Sequence, residues 1–343
     1  MHSPLLPGRW DDRAGAGHRH FQKPPDRLQF ETAQSERRGL PDAEPQPADT
    51  ASPDALPRHR EAGAASSGVA ASDFLMPQAS LPMYNLPEMQ AENAAFWLAI
   101  RTEAERLGAM GLPPVLDFAR KPVPARIEPD TVFTQVCGWP LQTIYAGQAM
   151  VLGVPAYDAA HCAGPTHAGA FVVRRDAPFR SVADLRGCDF VFNSIHSNSG
   201  MNLPRRVIAE LAGGRPFFGS IVETHSQPIN LERVARAEAD ATCVDCVTYA
   251  FFARHRPAVA GQLRLLAATP PTPAIPYVTA TATDPATKAA LAQALRRVAT
   301  EPEWAPVRAA MLLLDVVPPD QVDYRTPCRY ADEAAALGYP RLH

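Results

Sequence analysis

The residues of this 343-residue chain best suited to chemistry sit at turns that lead from short apolar runs into amphipathic ones. The sharpest is Asn193-Ser194-Ile195-His196-Ser197-Asn198-Ser199-Gly200-Met201, between Phe190-Val191-Phe192 and a run from Leu203 to Ala212. A strand that ends in such a Ser/Asn/Gly cluster and opens a helix gathers unpaired N–H groups, the positive end of the helix dipole and several hydroxyls. That is an anion site without any arginine. The plainer alternative is that Ser197 or Ser199 only caps the helix, and the loop taken alone favours it. A nucleotide P-loop is excluded, because GxxxxGK[ST] is absent.

Other junctions share the design. Ile221-Val222-Glu223-Thr224-His225-Ser226 offers a histidine in a turn, which is more often structural than functional. Ala241-Thr242-Cys243-Val244-Asp245-Cys246 brings Asp245 to a strand's carboxyl end, where it can meet a cation or cap the next helix. Cys243 and Cys246 have CxxC spacing. On a strand, however, positions i and i+3 point to opposite faces, and no second cysteine pair lies nearby, so a metal site does not follow. Thr134-Gln135-Val136-Cys137-Gly138 and Tyr84-Asn85 are further junctions in the first half.

The elements that must position these turns alternate. Strands are expected at 74–76, 115–118, 132–136, 150–154, 171–174, 190–192, 220–223, 241–244, 263–267 and 277–280. Helices are expected at 87–108, capped by Asn85, and at 203–212, 231–237, 248–254, 286–300 and 307–314. Such alternation predicts an α/β fold with parallel sheets covered on both faces. Ligands then sit beyond the carboxyl ends of strands.

Composition narrows the partners. With 33 lysines and arginines against 36 aspartates and glutamates, the formal charge is −3, which excludes bulk positive charge as a means of holding nucleic acid or an anionic membrane. No apolar run approaches the roughly 18 residues of a spanning helix. Residues 1–72 carry scattered apolar side chains without a period and are expected to be a disordered tail. Glu36-Arg37-Arg38-Gly39-Leu40 has adjacent arginines, but Pro41-Asp42-Ala43-Glu44-Pro45 follows instead of an apolar core, so no export signal is read there.

From about residue 73 to 330 the chain resembles the phosphate/phosphite/phosphonate-binding family of ABC-transporter substrate-binding proteins. The resemblance rests on eight collinear motifs: Leu81-Pro82-Met83-Tyr84; Gln135-x-Cys137-Gly138-Trp139-Pro140; Pro155-x-Tyr157 with Cys162-x-Gly164; Asp184-Leu185-Arg186-Gly187; Asn193 with Ser197-Asn198-Ser199-Gly200-Met201; Thr224-His225-Ser226; Ala239-Asp240 with Val244-Asp245-Cys246-Val247-Thr248; and Ile275-Pro276-Tyr277-Val278-Thr279.

The resemblance implies a type 2 periplasmic-binding-protein fold with two hinged lobes. Residues 73–168 plus 276–343 would form one, and 169–275 the other. It implies ligand-binding roles for Tyr84, Gln135, Ser197, Asn198, Ser199, His225 and Asp245. The serine loop would hold oxyanion oxygens, Tyr84 would close from the facing lobe, and Asp245 can receive an amino group in aminophosphonate binders. A small oxyanion, an ABC-transporter permease and a monomer are the expected partners and state, with no cofactor, metal, nucleic acid or catalysis. A disulfide between Cys137 and Cys162 requires export. The family is periplasmic, whereas a chain without an export signal would stay in the cytoplasm. His161 and Ala237-Glu238 replace glycine-bearing turns of the family, and Ala168 and Ala170 replace a frequent serine. Two alternatives remain: an organic ligand, such as a thiamine-pyrimidine precursor or a sulfonate, or an enzyme using Cys137 or Cys246 as nucleophile with His225 as base.

Overall fold

A computed structural model describes residues 76–343. The expected tail at 1–72 and the Phe74-Leu75 part of the first expected strand lie outside these residues. The strands are β1 (Gln78–Ala79), β2 (Thr131–Gln135), β3 (Ala149–Tyr157), β4 (Thr166–His167), β5 (Gly169–Arg174), β6 (Asp189–Phe192), β7 (Ser220–Glu223), β8 (Ala241–Asp245), β9 (Leu263–Ala268), β10 (Thr272–Pro273), β11 (Tyr277–Ala280) and β12 (Leu313–Val317). The α-helices are α1 (Gln90–Arg106), α2 (Gly138–Gln142), α3 (Leu203–Ala212), α4 (Gln227–Ala235), α5 (Cys246–His255), α6 (Pro257–Ala260), α7 (Pro285–Thr300), α8 (Ala305–Ala310) and α9 (Thr326–Ala336).

Two five-stranded sheets result, in the orders β1-β2-β11-β3-β12 and β7-β6-β8-β5-β9, and the antiparallel pair β4–β10 lies on the crossings between them. Both sheets are mixed. In the second, β6 runs parallel to β7 and β8, while β5 lies antiparallel to β8 and β9. In the first only β1 and β2 are parallel, because β11 and β12 return after the second sheet is made. β5 is the apolar run of a central strand: Ala170, Phe171, Val172 and Val173 are fully buried. In β3, a Cβ on Gly153 would fall 2.5 Å from Val316, so glycine is what lets β12 close on β3.

Around the first sheet, α1 packs on α7. Leu291, Ala294, Leu295 and Val298 recur on one face of α7 at helical spacing, all fully buried. Between α1 and the sheet stands a stack of rings, Trp97 on Phe133 at 5.1 Å and Phe133 on Tyr277 at 5.6 Å. Under the second sheet, Phe190 stacks on Phe218 at 4.3 Å, with Ile208 and Ala209 of α3 in the same core. Gly213 at φ +60 ends α3 as a left-handed cap.

Several local expectations are corrected. Residues 115–118 bend rather than pair as a strand, with the Asp117 carboxylate accepting from Ala119 N at 2.8 Å. A short Asp side chain that bonds its own backbone two residues on makes a turn instead. Asn85 does not cap the first helix; its amide donates to Phe118 O at 2.9 Å, and the entry is made by Pro87–Met89. The run 307–314 divides into α8 and β12 at Leu312, whose φ of +51 breaks the helix. His161 and Ala237 stand at φ +66 and +58, in the left-handed region that favours glycine.

The C-terminal residues, expected with the first sheet, pack on the second. Ala334 and Tyr339 sit in its core. Arg206 Nε meets Glu333 at 2.6 Å, Asn202 donates to Pro327 O at 2.8 Å, and Phe217 N donates to His343 O at 2.9 Å. Buried apolar faces pair with whichever surface remains uncovered, and α3 presents one.

Candidate functional site

The parallel set β7-β6-β8 brings three strand ends to one edge, and each runs directly into a helix. A cavity of about 780 Å³ lies there. Asn193, Ser194 and His196 line it after β6; Glu223, His225 and Gln227 after β7; Asp245 and Thr248 after β8. The first-sheet side contributes Met83, Asn85, Lys121 and Ile275.

Local chemistry shapes each turn. After β6, Ser197 Oγ accepts from Gly200 N at 2.9 Å, so Ser197 is the cap of a wide turn, Asn198–Asn202, that leads into α3. A Cβ on Gly200 would come 2.0 Å from Asn193 Oδ1, so glycine allows Asn193 to lie over this turn. After β7, Thr224 N donates to Phe192 O at 2.8 Å, and Ser226 caps α4. Between them His225 takes φ +63, which presents an imidazole 80% exposed at the side chain, 3.5 Å from Glu223. After β8, Asp245 caps α5, its Oδ1 accepting from Val247 N at 2.8 Å and Thr248 N at 3.4 Å. Gln227 joins the turns: it donates to Ser199 Oγ at 3.1 Å and accepts from Asp245 N at 2.9 Å.

Of the residues singled out in the sequence, Asp245 and His225 line the cavity. Ser197, Asn198 and Ser199 are buried and are not among the residues that line it. Asn198 is held by three contacts, from its N to Cys137 Sγ (3.4 Å), from its amide to Thr272 Oγ1 (3.4 Å) and from Asn202 to its Oδ1 (3.0 Å). Tyr84 is buried edge-on to Tyr157, and its hydroxyl reaches Asp245 Oδ2 at 3.4 Å. Burial, then the Asp245 charge, raises the Tyr84 pKa well above its ordinary value, so it is a neutral donor. Gln135 is buried as well, its amide 3.5 Å from the Tyr157 hydroxyl.

Sequence reasoning missed His167, Gln227 and Lys121. Gln227 opens a helix beside a capping serine, a local signal. His167 and Lys121 reach the site only through the fold. The thiols that approach each other are Cys162 and Cys246, at 3.5 Å, rather than Cys137 and Cys162. Burial pushes Cys137 up to about 11, and the Cys162 contact together with burial pushes Cys246 far up. Among the described residues, no group of His, Cys, Asp and Glu forms a metal-binding cluster.

Two sheets joined by crossings, with helix N-termini around the cavity, define a periplasmic-type binding-protein fold. The model of the family described as "ABC transporter, phosphonate, periplasmic substrate-binding protein" matches residues 145–324, and the chain belongs to that family. Solved structures agree in fold. A binding protein component of an ABC phosphonate transporter from Pseudomonas aeruginosa is 15% identical with a TM-score of 0.56, over 77% of this chain and 93% of that one. PhnD1 from Prochlorococcus marinus, in complex with methylphosphonate, is 14% identical with a TM-score of 0.56, over 76% and 98%. A Xanthomonas citri protein bound to ATP is 16% identical with a TM-score of 0.53, over 76% and 97%. No curated protein matches the chain.

Proposed function

We propose that this chain is a receptor that closes two lobes on a small phosphorus oxyanion, a phosphonate, phosphite or phosphate, and presents it to an ABC-transporter permease. One lobe comprises residues 76–168 with 276–325, the other 169–275 with the C-terminal segment, and the chain bends at β4 and β10. The observation that carries the reading is the convergence of three strand-to-helix turns, after β6, β7 and β8, on one cavity. Asn193, Ser194, Ser226 and Thr248 line it, with Lys121 from the first-sheet side. Fixed donors of this kind suit an anion, and they strengthen when closure removes water.

Binding without bond breaking fits the thiols. Cys137 and Cys246 are both driven toward the protonated form, the opposite of what a nucleophile needs. A thermal-shift panel tests the reading. Methylphosphonate, phosphite or phosphate at 100 times its dissociation constant should add about 2.7 kcal/mol of stability. A shift with a sulfonate or a thiamine-pyrimidine precursor, and none with the phosphorus anions, would overturn it. Recovery of the ligand unchanged, followed by phosphorus NMR, separates binding from turnover.

A further inference from the structure

An anion receptor with a carboxylate in its cavity has a charge problem. An ionised Asp245 repels a bound oxyanion unless a cation or a shared proton intervenes. The fold places a counter-charge behind it. His167, at the end of β4, is 1% exposed, and its Nδ1 stands 2.7 Å from Asp245 Oδ2. The Tyr84 hydroxyl donates to the same oxygen, and two backbone N–H groups of α5 occupy Oδ1. An ionised carboxylate offers about four acceptor positions. Here three hydrogen-bond donors and the close His167 imidazole crowd the carboxylate on both oxygens, where a ligand ammonium would have to come.

We propose that His167 is the counter-ion of Asp245 and thereby restricts the cavity to oxyanions without a cationic group, namely alkylphosphonate, phosphite or phosphate rather than aminophosphonate. This rests on the oxyanion reading above and narrows it.

The surroundings of the imidazole agree. Burial works against its charge, but the adjoining carboxylate outweighs burial and raises the His167 pKa. The titratable groups facing it are Asp245 from β8 and the Cys246 thiol from the start of α5, itself held protonated; Thr272, opposite on β10, carries no charge. Both ring nitrogens of His167 are buried without a well-aligned hydrogen-bond partner among the described residues, so the ring's one close polar approach is the 2.7 Å ion-pair contact of Nδ1 with Asp245. A ligand ammonium could reach Asp245 only by displacing His167 or Tyr84 and stranding a buried group. The cavity's other carboxylate, Glu223, already accepts from Ile195 N at 3.2 Å and faces His225. His167 is thus a positioning residue, acting on the ligand through Asp245.

Calorimetry on the full chain with methylphosphonate and with 2-aminoethylphosphonate tests the proposal. The wild-type protein should bind methylphosphonate at least about tenfold more tightly. His167→Asn, which keeps a donor but removes the charge, should weaken methylphosphonate by about tenfold and narrow that ratio. Adding Asp245→Asn should restore most of the lost affinity, since the pair is neutral again. A purely structural histidine would show no such rescue. The proposal is overturned if the wild-type protein prefers the amine-bearing ligand, if His167→Asn weakens both ligands equally, or if the folded double variant recovers nothing. Should His167→Asn fail to fold, the wild-type preference decides alone. If no phosphorus oxyanion binds the wild-type protein, the receptor reading itself fails.

Discussion

Gly200→Ala is a demanding test of the turn after β6. The added methyl would lie 2.0 Å from Asn193 Oδ1, 3.2 Å from Asn193 Cγ and 3.0 Å from Ser197 Oγ. The first distance is far inside van der Waals contact, so Asn193 must swing away, and Ser197 must shift from its 2.9 Å bond to Gly200 N. Overpacking of this kind costs about 1–3 kcal/mol, and losing the cap adds about 1 kcal/mol. Stability should therefore fall by about 2–4 kcal/mol in urea unfolding. Binding should fall separately. If Asn193 donates to the oxyanion, one charge-assisted hydrogen bond worth about 1.5–3 kcal/mol disappears, which is roughly 10- to 100-fold in affinity. Calorimetry with methylphosphonate on the folded fraction reads that second effect directly. Lower stability with unchanged affinity would remove Asn193 from the ligand's surroundings. Unchanged values in both would refute the packing argument for this turn.

Two further outcomes follow from packing and charge outside the cavity. The Glu103 carboxyl is 3% exposed at its side chain; burial opposes its charge, but Trp304 Nε1 at 3.1 Å, Arg297 at 3.2 Å and Arg106 hold its pKa below the usual range. Its contribution is therefore full above the unfolded value of about 4.3 and fades as pH falls through the lower folded value. Glu103→Gln should cost about 1–3 kcal/mol at pH 7 in urea unfolding, with the gap to wild type closing in acid. Ala237→Gly should stabilise by about 0.5–1 kcal/mol, because relief at φ +58 outweighs glycine's extra unfolded freedom, and a lower melting temperature would contradict this.

Much of this was legible residue by residue. β2, β6 and β8 are short, largely buried runs with turn residues behind them, β7 carries the β-branched pair Ile221-Val222 before a turn, and α3 and α7 show an apolar side at helical spacing, so local pattern sufficed. β12 was hidden because Leu313 and Leu314 continue the apolar texture of α8, and only the backbone at Leu312 separates them. α9 was hidden because it buries little beyond Pro327 and Ala334. The site divides in the same way. The turns bearing Ser197, His225 and Asp245 announce themselves through serine, glycine and capping chemistry within a few positions. The partners that decide what Asp245 can do, His167 and Tyr84, come from distant parts of the chain, and no spacing rule connects them.

The contact between Phe217 and His343 also governs the order in which the molecule can be made. Every strand of the second sheet has left the ribosome once Ala268 is out, yet Ala334 and Tyr339 have still to be synthesised. At about 5–20 residues per second that delay is several seconds, during which the underside of α3 has no cover. The first sheet waits as well, for β11 and β12. Neither half can be cut out as a continuous fragment that keeps its own core. The core of the second sheet is therefore complete only when α9 and the residues after it have been made.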